Sequence, residues 1–132
     1  MGLLLQRLAP IRLPEGPALR IAGGALIVIG LALSGAVVYH FGRAGTPVTP
    51  LRATRRLVVS GPYRLSRNPD YLGQALLAAG LGLLFAPAWV LVALVPALGL
   101  VRYGVIAREE SYLERRFGEE YRRYCRRVRR WI

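Results

Sequence analysis

Residues 71–101 read YLGQALLAAGLGLLFAPAWVLVALVPALGLV, 31 positions without one Arg, Lys, Asp or Glu. Uncharged apolar runs of about 18 residues or more read as membrane spans. This run is too long for one ordinary span, since a continuous helix of that length would measure about 46 Å at its usual rise. Pro87, within Phe85-Ala86-Pro87-Ala88-Trp89, divides it. Proline interrupts one helix and is tolerated in the first turn of the next. The expectation is a membrane hairpin with a short arm, Tyr71–Ala86, and a longer arm, Ala88–Arg108. The short arm barely reaches across the hydrocarbon core, which suits a re-entrant segment or a locally thinned bilayer.

A second uncharged run lies upstream, Ile21–Gly42, and its 22 residues are enough to cross a bilayer. The span is expected at residues 17–41. Gly23, Gly24, Gly30 and Gly35 stand among its Ile, Leu and Val, and small residues in a span mark close helix packing. Ahead of it, Pro10, Pro14 and Pro17 break helical structure, leaving a short amphipathic piece and an extended lead-in. The apolar run Leu3–Leu5 is too short for a signal peptide. The fold class is therefore all-α membrane protein. It reads as a single domain over residues 1–132: an N-terminal segment 1–16, a span 17–41, a polar connector 42–70, the hairpin 71–108 and a C-terminal amphipathic helix 109–132.

This division reconciles two properties that rarely coexist in a soluble chain, 54% hydrophobic residues and a net charge of +12. All 19 basic residues are arginine, which reflects genome composition more than chemistry. Six fall in the connector and nine from Arg108 onward, against three up to Arg20 at the start of the first span. Positive charge orients spans, so connector and C-terminus are expected on the cytoplasmic side of a prokaryotic inner or plasma membrane. Nucleic acid is not an expected partner, because five glutamates interleave with the nine C-terminal arginines and blunt a phosphate-binding surface. Cys125 and His40 are each the sole residue of their type, which excludes an intramolecular disulfide, a cysteine metal site, a zinc cluster and a Ser-His-Asp triad. His40 lies in the span and reads as remote from the polar segments.

From Val105 onward Ile106, Glu110, Leu113, Phe117, Tyr121, Tyr124, Val128 and Trp131 recur at steps of three and four, one face of a helix, with Gly118 expected to kink or divide it. Glu110 falls on that apolar face, where an unpaired carboxylate is expensive. It either pairs with a connector arginine such as Arg67 or receives donors from a ligand. In the connector, Gly61-Pro62-Tyr63 is a turn followed by an aromatic. Pro69 forces Asn68 out of helical geometry, and Asp70 can cap a helix starting at Tyr71. Connector, hairpin end and basic helix could enclose a pocket at the membrane surface.

Five short motifs stand in order: Gly45-Thr46-Pro47; Leu57-Val58-Val59-Ser60-Gly61-Pro62-Tyr63; Arg67-Asn68-Pro69-x-Tyr71-x-Gly73; Glu109-Glu110-x-x-Leu113; and Phe117-Gly118-x-x-Tyr121-x-x-Tyr124. This pattern resembles the integral-membrane methyltransferase family that includes isoprenylcysteine carboxyl methyltransferases and phosphatidylethanolamine N-methyltransferases. The resemblance implies S-adenosyl-L-methionine (SAM) as methyl donor, bound at the cytoplasmic face. It assigns Leu57, Val58 and Tyr63 to the lining of the cofactor pocket, Arg67, Asn68 and Pro69 to its polar end, and Glu109 with Glu110 to amino or ribose groups. The acceptor it implies is lipid-like, methylated on a carboxylate oxygen or an amine, with membrane lipids as further partners. Apart from the resemblance, a chain of three spans is a candidate homo-oligomer, a second copy completing its pocket. The family's usual Arg-His-Pro is Arg67-Asn68-Pro69 here, so a titratable group is lost at position 68. An arginine for the substrate carboxylate, one turn before the glutamates, is Val105 here, with Arg102 and Arg108 nearest. Arg108 and Asn68 are the expected catalytic positions. The competing expectation is a non-catalytic membrane adaptor whose basic helix binds anionic lipid or a protein partner.

Overall fold

A computed structural model describes residue 7 and residues 16–45, 57–85 and 88–132. The N-terminal amphipathic piece, Gly45-Thr46-Pro47 beyond its glycine, and Pro87 lie outside the described residues. Among those described, every element is helical: α1 (Pro17–Arg43), a short 3-10 turn (Gly61–Arg64), α2 (Pro69–Phe85), α3 (Trp89–Leu100), a π-helical stretch (Val101–Ile106), α4 (Ala107–Phe117) and α5 (Glu119–Arg127). Two stretches are long and apolar enough to cross a membrane, Pro17–Arg43 and the continuous Trp89–Phe117. The protein is an all-α membrane protein.

α1 and α2 form an antiparallel pair held by glycines. A β-carbon on Gly30 would lie 2.8 Å from the Gly73 carbonyl oxygen, and one on Gly80 would lie 2.6 Å from that of Gly23. Glycines at these two levels let backbone meet backbone, with van der Waals contact and Cα–H···O contacts in place of a hydrophobic drive that lipid does not supply. Gly24 and Gly35, on other faces of α1, have open space around them. Of the four glycines in the span, two are packing residues and two are not.

The short arm of the hairpin is α2, at 17 residues, and it begins at Pro69 rather than Tyr71. Asn68, not Asp70, holds the cap position: its carbonyl accepts the Leu72 amide at 3.1 Å, with Pro69 at the first helical position. Asp70 sits inside the first turn, where its charge suits the helix N-terminus and its carboxylate accepts from Gln74 at 2.9 Å. The long arm does not end at Arg108. It runs without a break through the π-helical turn into α4, so the helix expected to begin at residue 109 continues the hairpin.

Because α2 is ten residues shorter than α1, which has 27, the last two turns of α1 overhang its start. The Gly61–Arg64 turn packs on that overhang, with the Phe41 and Tyr63 rings 5.5 Å apart. Gly118, at φ +56°, breaks the chain between α4 and α5, as the sequence led one to expect. α5 folds back to bury Tyr121, Tyr124 and Val128 against Leu57, Tyr63, Leu113, Phe117 and Cys125.

The glycine contacts give a direct test. Gly30→Val should destabilise the detergent-solubilised protein by about 1–3 kcal/mol, the ordinary cost of overpacking or more, whereas Gly24→Val should leave its thermal midpoint nearly unchanged. Equal effects at both positions would show that the packing face is misassigned.

Candidate functional site

The site is assembled where connector, α4 and the C-terminal residues meet. Its centre is Glu110. Arg130 donates to it in fork fashion, Nε to Oε1 at 3.0 Å and Nη2 to Oε2 at 2.7 Å. Arg67 Nη1 stands 3.3 Å from the same Oε1. Of the two readings open for Glu110, the structure shows the pairing with Arg67, and adds a second guanidinium that the sequence reading did not name. The same Arg67 nitrogen donates to Cys125 Sγ at 2.9 Å, while Arg67 Nε is buried without a hydrogen-bond partner among the described residues. Burial works against the charge on Arg67, but Cys125 and Glu110 outweigh it and hold the guanidinium above its ordinary pKa.

Glu109, the neighbour of Glu110, faces α2 instead, and its Oε1 accepts the Tyr71 hydroxyl at 3.0 Å. The two glutamates therefore do different work: among the described residues, one is spent on arginines and the other is held by a phenol.

The C-terminal residues are strapped to the connector by their backbone. Arg67 donates its amide to the Arg129 carbonyl at 3.0 Å, and Asn68 Nδ2 and Ser66 Oγ both donate to the Arg130 carbonyl, at 3.0 and 3.3 Å. Ser66 Oγ in turn accepts the Asn68 amide at 3.1 Å. The Tyr124 hydroxyl donates to the Tyr63 carbonyl at 2.7 Å, tying α5 to the 3-10 turn. Burial raises the Tyr63 and Tyr124 phenols well above their ordinary range, so Tyr124 is a proton donor at any working pH.

His40 corrects the sequence reading. It is not remote: its ring lies directly over Gly61, where any β-carbon would run into the imidazole, and its Nδ1 is 3.2 Å from Ser60 Oγ. Gly61, at φ +59°, has both its left-handed backbone and its lack of a side chain required by this contact.

Of the positions expected from sequence, Arg67 meets Glu110, Leu57 and Tyr63 pack together on the α5 core, and Asn68, with Pro69 after it, is tied to the Arg130 carbonyl, whereas Glu109 reaches Tyr71 on α2. Arg108 does not join: it is exposed on α4, as are Arg102 and Val105 in the π-helical stretch. Asn68 is buried, with its amide spent on the Arg130 carbonyl. Missed were Arg130, Ser66, Cys125 and His40. Tyr124 and Tyr63 stood in the motifs, but nothing in their spacing indicated that one would bond to the other's carbonyl.

An all-α membrane protein with a charged site built at a span exit is the class that this geometry defines. The family model described as phospholipid methyltransferase matches residues 19–120. The chain is 30% identical over 108 residues to the probable protein-S-isoprenylcysteine O-methyltransferase of Oryza sativa subsp. indica, covering 80% of this chain and 56% of that one, and the same values hold for the subsp. japonica protein. An uncharacterized protein of Haemophilus influenzae is 70% identical over 27 residues, 20% of this chain and 43% of that one. The chain thus spans about half the length of the curated relatives it matches. No solved structure matches it. The chain belongs to the phospholipid methyltransferase family.

Tyr124→Phe should destabilise the connector by about 1 kcal/mol through loss of one donor to the Tyr63 carbonyl. Limited proteolysis within residues 57–68 should accelerate while the membrane helices stay intact. Unchanged cleavage would mean that this hydrogen bond does not hold the turn.

Proposed function

We propose that the protein catalyses SAM-dependent methyl transfer to a lipid-like or hydrophobic acceptor at the cytoplasmic membrane face. The observation that carries this reading is the meeting of the two polar motifs. Arg67 and Tyr71, from one, contact Glu110 and Glu109, from the other, across about 40 positions of chain. The membrane-exit location suits an acceptor that diffuses within the bilayer and presents its polar end at the surface.

The residues present suit the cofactor. Arg67 has a buried Nε with no partner among the described residues, so a guanidinium donor remains for an anionic group. Glu109, engaged by one phenol among the described residues, can accept from an ammonium or from hydroxyls. Tyr63, packed between Phe41 and the α5 core, offers an aromatic face for a purine. SAM, when bound, supplies an electrophilic methyl group on a sulfonium, and transfer by in-line displacement asks the protein chiefly for positioning.

What the chain itself contributes follows from the geometry. Leu57 packs with Tyr63 on the α5 core, and the buried Val58 is proposed to complete the apolar wall. Pro69 and Asn68 fix the start of α2, which sets Arg67 and Tyr71 relative to one another. Arg108, exposed two residues before Glu110 and so on another face of α4, takes no part in this scheme. An ionised carboxylate acceptor needs no base. An amine acceptor must lose a proton, for which Asp70 and Glu109 remain, joined by His40 now that it lies on the Gly61 turn. Carboxyl O-methylation and phospholipid N-methylation both stay within this scheme.

Calorimetric titration of the detergent-solubilised full chain with SAM tests it. Wild type should bind, and Glu109→Gln should weaken binding about tenfold or more, as expected for loss of a charged hydrogen-bond acceptor. No binding at millimolar SAM would overturn the methyltransferase reading. Equal binding by both proteins would remove Glu109 from the site and leave the reading standing.

A further inference from the structure

The C-terminal strap makes an arrangement that the motifs do not account for. Two guanidiniums, from Arg67 and Arg130, face one carboxylate, leaving one positive charge uncompensated within the group. The pair is not a solvated surface contact: the Arg67 and Glu110 side chains are each 17% exposed. Elsewhere on α4 and α5 the pairing differs. Glu114 and Glu119 engage Arg122 and Arg126 with all four side chains more than half exposed, the ordinary weak surface ion pair.

The donor count shows what the surplus can do. Glu110 takes Arg130 through Nε and Nη2, so the Arg130 Nη1 group is not committed to it. Arg67 spends Nη1 on Cys125 and Glu110, leaving Nη2 and the buried Nε without a partner among the described residues. Each guanidinium is thus fixed by one edge and has another to offer. A planar fork held in this way is pre-organised for a second carboxylate, because side-chain entropy has already been lost. Glu110 then acts on the ligand through the two arginines.

We infer that Arg130 and Arg67, pinned by Glu110, form a carboxylate-binding pair, so that the C-terminal segment is part of the ligand site. The inference rests on the methyl-donor reading above and adds a binding residue to it. The carboxylate comes either from the amino-acid end of SAM or from an acid acceptor. The backbone bonds from Ser66, Arg67 and Asn68 to the Arg129 and Arg130 carbonyls hold Arg130 in register with Arg67 for this role.

The test compares Arg130→Ala with wild type for three ligands: SAM, decarboxylated SAM, and an S-prenylated mercapto acid as acceptor. Affinity for SAM is expected to fall about tenfold or more, as for loss of a charge-assisted contact, while affinity for decarboxylated SAM stays at the wild-type value. Loss confined to the prenylated acid supports the pair with the acceptor as its source. Arg130→Lys, which keeps the charge without the fork, should recover part of the loss, and it serves as the second variant where Arg130→Ala does not fold. Equal loss for SAM and decarboxylated SAM would mark Arg130 as merely structural and overturn the inference. So would tighter SAM binding, which would make the strap an inhibitory latch. Wild-type binding untouched by Arg130→Ala overturns the inference alone. Failure of wild type to bind any of the three overturns it together with the methyl-donor reading.

Discussion

The backbone contact between α1 and α2 sets everything else. Gly30 against Gly73 and Gly23 against Gly80 define the register in which the two helices lie. With that register set, α1 must overhang α2, and the overhang is where Phe41 and His40 stand. The connector turn packs there, with Gly61 against the His40 ring and Tyr63 against Phe41. In lipid, where apolar side chains gain little from leaving one another, close backbone approach is one of the few sources of specificity. Sliding α2 by one turn along α1 would move Arg67 by about 5 Å, more than a hydrogen bond tolerates.

From that frame the polar cluster follows as a consequence of burial. Glu110 lies on the inward face of a helix leaving the membrane, where an unpaired carboxylate would be strongly destabilising. Arg67 alone reaches only one of its oxygens, while Arg130 covers both, and Arg130 can do so only because the connector grips the backbone on either side of it. Tertiary structure of the last residues is thereby tied to the charge state of α4. Removing Glu110 would leave two guanidiniums facing each other, so its replacement tests more than one contact. Arg130 replacement, which leaves Arg67 with Glu110, is the cleaner probe.

Much of this was legible in the sequence. Uncharged runs located the spans, Gly118 located the break before α5, and the steps of three and four from Ile106 picked out Tyr121, Tyr124 and Val128 as the buried face. The place of Glu110 on that face already demanded a partner, and Arg67 was one of the two readings open for it. What could not be read was the second cation. Arg130 is one of nine arginines in its segment, and composition does not distinguish an arginine bonded to Glu110 from those at 122 and 126, which meet only surface glutamates. His40 was misjudged because distance along a span was taken for distance from the site. Ser60, Gly61 and Tyr63 meet the end of α1 at His40 and Phe41, a tertiary contact that no residue pattern announces. The Asp70 cap failed for a local reason: Pro69 is favoured at the first helical position, so the cap moved one residue upstream to Asn68.

The π-helical stretch explains how one continuous helix serves two environments. α3 has no buried residue among its twelve, and lipid does not discriminate among its faces. From Ile106, which is fully buried, the azimuth matters, because Glu110 and Leu113 must face the connector while Arg108 and Glu114 face outward. A π turn accommodates an extra residue, which rotates everything after it by roughly 100° relative to an uninterrupted α-helix. Val101–Ile106 lies at the boundary between the indifferent part and the oriented part, so the rotation disturbs no packing before it and sets the facing of every residue after it. Placed a turn later, the same insertion would separate Ile106 from Glu110 on the helix surface. The glutamate that anchors Arg67 and Arg130 would then face away from them.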